Sequence, residues 1–288
     1  MADNQFQPAL VELKKSKKSI YGPKSFQNYC QENDLPNVRT ADKISVDYFE
    51  RLNATLKQND TMVFRVGKPK GETQTNFILA KVPGKIKDFF LFDDIVFSGQ
   101  DPVTFIPTTS FKKVYPFLIL PKKSESFFIN FGLASGLIGH AIGLDEPDTT
   151  IVPTTCKSTF SFHFSPHSSI KQKIAHTNGQ VEIDAIFLEK RNGKDSLFVI
   201  EGKSNFESGN QKSLAKHKLV YPVLSLSSFI PKDMEIVPIY IKIEETNDGL
   251  SYQILECSLP DPRKQLVHID DLQPLKFTNL TLPNFFRT

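Results

Sequence analysis

The chain has 288 residues, of which 39% are hydrophobic and 23% charged, with a net charge of +3. That balance excludes a disordered chain, and the charge by itself is too small to imply a nucleic-acid partner. Three widely spaced cysteines, Cys30, Cys156 and Cys257, exclude a disulfide framework and a zinc knuckle, while the length allows one large domain or two small ones.

Residues 1 to about 21 include "KKSKKS" and predict a polar, partly ordered arm. They hold no apolar run of the signal-peptide kind, so a cytoplasmic protein is expected. "GPKSFQNYCQEND" and "SVDYFERLNATLKQND" each predict a short helix, the second opening on Ser45. "TMVFRVG", "TNFILAKV" and "DFFLFDDIVF" predict three strands of an antiparallel meander. The proline-punctuated stretch that follows places a boundary near residue 118, giving an N-terminal α+β region over 1–118 and a second domain over 119–288.

"SFFINFGLASGLIGHAIGL", residues 126–144, is nearly long enough to cross a bilayer, and Gly132 and Gly136 have the spacing of closely packed helices. Asn130, Ser135 and His140 argue instead for a helix of about 124–142 buried against a sheet, so no membrane partner is expected. "STFSFHFS", "QVEIDAIFLEK" and "SLFVIEGKS" read as three strands, the last two joined through Asn192-Gly193, whose residues both favour positive φ. "NQKSLAKHKLVYPVLSLSSF" predicts a helix with Lys212, Lys216 and Lys218 near one side, and "IVPIYIKIEE" with "LSYQILECSL" a closing hairpin. The order helix, three strands, helix, strand pair predicts a mixed α/β sheet flanked by helices.

Period two places Glu182 and Asp184 on one face of their strand and Glu201 and Lys203 on one face of the next. The hairpin brings the two pairs together. Carboxylates this close repel and raise one another's pKa unless a cation sits between them. A hard divalent ion such as Mg2+ takes one or two carboxylates and keeps several waters, and a nearby lysine can orient or deprotonate water, or steady charge growing on phosphorus. These parts suffice for metal-assisted phosphodiester hydrolysis. The bland reading of Glu201 and Lys203 is an ion pair at a strand end, and of Glu182 an exposed strand charge.

"Glu182-Ile-Asp184", one hairpin, then "Ile200-Glu201-Gly202-Lys203" resembles the core of the PD-(D/E)XK nucleases, over about residues 120–245. Ile183 stands where the family's literal motif has proline. "Lys218-Leu-Val-Tyr-Pro222" resembles the segment after the lysine in many type II restriction endonucleases. The resemblance implies a restriction-endonuclease-like sheet core, with Asp184, Glu201 and the Gly202 carbonyl on Mg2+, Lys203 on water, and Glu182 as a further catalytic candidate. It also implies that Glu125, opening the long helix, is a loose match to a helix carboxylate that some members add. Duplex DNA would be the partner, met by Ser204, Asn205, Lys212 and Lys216, with Arg39, Arg51 and Arg65 of the N-terminal region as candidates for reading bases; the lysines read equally as a solvated face and the arginines as scaffold salt bridges. A homodimer matching a palindromic site, with no organic cofactor, is likewise implied. A repair or junction-cleaving nuclease on the same core, or a catalytically silent DNA-binding protein, stays open beside the restriction enzyme.

Overall fold

A computed structural model of the chain describes residues 5–36, 38–120, 124–205 and 211–284. The lysine-rich start is a helix rather than an arm: α1 (Gln7–Ser16) has Pro8 in its first turn, buries Leu10 and Leu13 at helical spacing, and puts Lys14 and Lys15 at its negative end. Strand β1 (Ile20–Ser25) and helix α2 (Phe26–Glu32) then share the segment expected to be helix alone, with Ser25 capping α2 through the Asn28 N–H. The helix expected from Ser45 is broken. Helix α3 (Thr40–Ile44) ends just before it, and within the expected span only a 3-10 turn at Phe49–Arg51 and α4 (Ala54–Gln58), capped by Asn53, are helical.

Strands β2 (Thr61–Gly67) and β3 (Asn76–Lys81) pair antiparallel, as expected, and β1 adds to β3. The third expected strand is cut to β4 (Phe90–Phe92), because Asp93 starts helix α5 (Asp93–Val96). Strand β5 (Val103–Thr104) and helix α6 (Phe111–Leu118) follow. The long apolar helix is two, α7 (Glu125–Ala134) and α8 (Leu137–Ala141), parted at Gly136. No helix among the described residues is long and apolar enough to cross a membrane.

Strands β6 (Thr154–Phe164), β7 (Ile174–Arg191) and β8 (Lys194–Ser204) form an antiparallel meander, with Asn192 and Gly193 at positive φ in the β7–β8 turn. The next expected helix starts late. Ser213–Ala215 is strand β9, paired with β4, and the α-helix is His217–Leu226, α9, closed by a 3-10 turn at Ser227–Phe229. From β8 the chain crosses over through α9 to β10 (Glu235–Thr246), parallel to β8, and finishes antiparallel through β11 (Gly249–Ser258) and β12 (Gln273–Pro283). Among the described residues, ten strands make one mixed sheet, ordered β1-β3-β2-β7-β8-β10-β11-β12-β5, with β6 alongside β7.

Helices cover both faces. On one, α7 and α8 pack Phe128, Ile129 and Leu137 against Phe198, Ile200, Ile239 and Ile241. On the other, α9 packs Leu219, Val220 and Val223 with Val199, Tyr240 and Leu255. This second core is continuous with the N-terminal strands: the Phe64 ring lies 5.4 Å from Phe89 and 5.8 Å from Phe164, which lies 5.2 Å from Tyr221. The strand junction between the two regions is narrow, a pairing of Gly67 with Thr177.

Candidate active site

Glu201 sits where β8 reaches the end of its pairing with β7. The last residues in that ladder at this end are Ala185 and Ile200, so Asp184 and Glu201 follow side by side. Alternation along β8 sends Ile200 to the α7 face and Glu201 to the α9 face, where it is 1% exposed. A fully buried carboxylate needs compensation. Its Oε1 lies 2.9 Å from Lys203 Nζ and 3.2 Å from Lys218 Nζ of α9. Its Oε2 is also buried and has no hydrogen-bond partner among the described residues.

Lys203 is held from three sides. Besides Glu201, its ammonium lies 3.4 Å from Glu125 Oε2 and donates to the Gly202 carbonyl at 2.9 Å. Glu125 is brought there by α7, whose start is capped by Ser124, and its Oε1 accepts the Ser204 N–H at 3.3 Å. Gly202 permits this approach, since a Cβ there would stand 2.8 Å from Ile129 Cδ1 of α7.

The two central carboxyls are tuned in opposite directions. Burial and the Glu201 charge push Asp184 up to about 7, against the Gly202 N–H it accepts at 2.9 Å and the ammoniums of Lys203 and Lys218. Burial would raise Glu201 too, but Lys203 and Lys218 outweigh it and hold the carboxyl below its ordinary range. Burial works against the charged form of Lys203, yet Glu201, Asp184 and Glu125 overcome it and raise its pKa, so the side chain is an ammonium. Three carboxyls face two ammoniums in one pocket.

The site offers oxygen atoms that could serve a hard divalent cation. Asp184 and the unpartnered Oε2 of Glu201 are oxygen donors on adjoining strands, and the Gly202 carbonyl lies between Glu201 and Lys203. Among the described residues no group of three or more His, Cys, Asp or Glu side chains stands at metal-holding geometry. Two carboxylates with several waters is the set that Mg2+ takes.

Glu182 is not in this pocket. The β6–β7 ladder sets Thr154 opposite Ile186 but Cys156 opposite Ile183, two residues against three, so β7 carries a bulge. Val181 and Ile183 therefore face the α9 core while Ala185 and Phe187 face the α7 core. The bulge breaks the shared parity expected for Glu182 and Asp184, and Glu182 is exposed, 3.3 Å from Lys157 of β6. The expected DNA contacts also divide. Ser204 is buried beside Glu125, and Asn205 donates to Glu244 at 3.0 Å. Lys212 is exposed, whereas Lys216 is buried with its ammonium 3.4 Å from the Asp270 carbonyl. The late start of α9 is the reason that Lys212, Lys216 and Lys218 do not share a helix side. Arg51 pairs with Asp47 at 3.2 Å, while Arg39 and Arg65 line a cleft beside Lys218. Lys218 is the contact that the sequence pattern missed, since nothing local links a helix lysine to Glu201.

A family described as a domain of unknown function (DUF6997) matches residues 92–278, well over half of the chain and including Asp184, Glu201 and Lys203. No curated protein and no solved structure matches the chain.

Proposed function

The chain belongs to that family, and from its site we propose that it is a Mg2+-dependent endodeoxyribonuclease of the PD-(D/E)XK type, acting as a type II restriction endonuclease on duplex DNA. The observation that carries this reading is the meeting of Asp184, the unpartnered buried oxygen of Glu201 and a Lys203 held from three sides at one sheet end. The strand sequence supports it: an antiparallel β6–β7–β8 meander entered from α7 and left through α9 to a parallel β10 is similar to the core that the motif implies.

Asp184, Glu201 and the Gly202 carbonyl would hold the cation. A bound Mg2+ supplies Lewis-acid polarisation of the phosphoryl oxygen and acidifies water. Lys203 is anchored by Glu201 and Glu125, and the N–H it now gives to the Gly202 carbonyl would be released when that carbonyl turns to the cation, free to donate to a phosphate oxygen as charge grows there. Lys218 offsets the Glu201 charge and so lowers the repulsion between the site and an anionic backbone. A homodimer on a palindromic sequence completes the reading.

The two ammoniums on Glu201 favour a second reading, a buried ion-pair network in a DNA-binding protein without catalysis. Incubation of a defined plasmid with and without Mg2+, with end-sequencing of any fragments, separates the two. The nuclease reading expects metal-dependent fragments with uniform ends. It also expects Lys203→Ala to slow single-turnover cleavage at saturating Mg2+ by roughly 10²- to 10³-fold. No cleavage of any DNA by the wild type, or an unchanged rate in Lys203→Ala, overturns it.

A further inference from the structure

Unmet buried polar atoms converge on a second place, beside the carboxylate pocket. A cleft of about 330 Å³ runs between α3 and β2 on one wall and β7 and α9 on the other, lined by Arg39, Arg65, Lys157, His217, Lys218 and Tyr221 among others. Nε of Arg65, Nδ1 of His217 and the hydroxyl of Tyr221 are all buried without a hydrogen-bond partner among the described residues. Tyr221 is only 7% exposed, so its hydroxyl has little access to bulk water. Buried polar groups in folded proteins are nearly always satisfied, and three exceptions on one cleft point to an occupant that satisfies them.

Charge identifies the occupant. The cleft's carboxylates are already engaged, Asp47 with Arg51 at 3.2 Å and Glu182 with Lys157 at 3.3 Å. Arg65 is half-buried on β2, and burial acts on its guanidinium without an acid to offset it. Arg39, at the start of α3, stands exposed on the same wall and, like Arg65, has no carboxylate within ion-pair distance among the described residues. A guanidinium fork matches the oxygens of a phosphate, and hydroxyl and imidazole groups donate to the same oxygens.

We propose that this cleft is a phosphate subsite, in which Arg65 and Arg39 grip a backbone phosphodiester of the bound strand and Tyr221 and His217 meet its remaining oxygens. The anion site stands on the cleft alone; that its phosphate belongs to a nucleic-acid strand rests on the nuclease reading. Both arginines lie outside residues 92–278, so the N-terminal region supplies the subsite's positive charge.

The test uses the full chain in chelator, so that no cleavage intervenes. Inorganic phosphate is titrated calorimetrically, and a fluorescent duplex oligonucleotide is titrated across a salt series, for the wild type, Arg65→Gln, Arg39→Ala and Tyr221→Phe. Arg39 is exposed, so its variant repeats the Arg65 test without touching the core. The subsite expects Arg65→Gln and Arg39→Ala each to weaken oligonucleotide binding about tenfold or more and to flatten the log–log salt slope by about 0.9. Tyr221→Phe should weaken phosphate and oligonucleotide binding with an unchanged melting temperature. Unchanged slopes in both arginine variants overturn the proposal. Phosphate bound through Arg65 with no oligonucleotide affinity overturns the strand assignment and the nuclease reading together, leaving a site for free phosphate esters. Arg65-dependent oligonucleotide binding by a wild type that never cuts upholds the subsite while the nuclease reading fails.

Discussion

Asp184 and Glu201 are neighbours on adjoining strands, yet replacing them should have opposite consequences for stability. Without metal, the Asp184 carboxyl is raised to about 7 from an unfolded value near 3.8 by burial and by Glu201. The folded state therefore binds the extra proton between those pH values, and ionising Asp184 above the window costs stability. Asp184→Asn removes that cost and keeps an acceptor for the Gly202 N–H. In chelator it should be more stable than the wild type at pH 8, on the order of 3 kcal/mol, and equal to it near pH 4. Urea unfolding at both pH values checks this, while cleavage by the same variant should be lost. Glu201→Gln strips the shared partner from two largely buried ammoniums and should cost about 3 kcal/mol, so its inactivity would be ambiguous. Asp184→Asn is the sharper catalytic test for that reason.

Elements are held in place by close backbone approaches more than by local propensity. Gly67 has φ +76°, and a Cβ there would stand 2.1 Å from the Thr177 carbonyl oxygen, at the pairing that joins β2 to β7. Gly202 is crowded only by the tip of the Ile129 side chain, which can rotate. Gly67→Ala should therefore destabilise the fold by about 2 kcal/mol or more and loosen β1 to β3, whereas Gly202→Ala should cost nearer 1 kcal/mol. Denaturation midpoints with hydrogen exchange over residues 20–81 would show it, and equal losses would contradict the argument. Gly202→Ala should instead be felt at α7, through the position of Glu125 against Lys203.

At the scale of the whole molecule, the N-terminal strands and the matched family segment share one core, with Phe64 and Phe89 packed toward Phe164 and Tyr221. Residues 92–284 expressed alone should lose near-ultraviolet dichroism and bind a hydrophobic dye, because that aromatic stack would be open to water. Acid should act on the same region. Burial lowers His176 and His217 to about 4, so the unfolded chain binds more protons between about pH 4 and 6.5, and stability falls as the pH falls through that window. Each histidine contributes at most on the order of 3 kcal/mol, and protonation of Asp184 offsets one of the two. Stability should thus decline between pH 7 and 4.5 by less than two histidines would give, and His176→Gln should shrink the decline. A flat pH profile from urea midpoints would mean that these imidazoles are not neutral in the fold.

The amino-acid sequence by itself determined the parts whose causes lie within one hairpin or one crossover. Alternation along β8 and the Asn192-Gly193 turn place Asp184 beside Glu201 and Lys203, because pleat and turn chemistry act between residues close in the chain. The tertiary structure decided what those patterns could not carry. A single bulge in β7 parts Glu182 from Asp184, since one inserted residue reverses every face beyond it. Pairing of Ser213–Ala215 with β4 delays α9, turning Lys216 inward and bringing Lys218 onto Glu201. Packing of α7 over Gly202 delivers Glu125 to Lys203 from 78 residues away. Arg39 and Arg65 reach their shared cleft only because β2 joins β7 and the aromatic core closes behind them, which depends on contacts between segments a hundred or more residues apart.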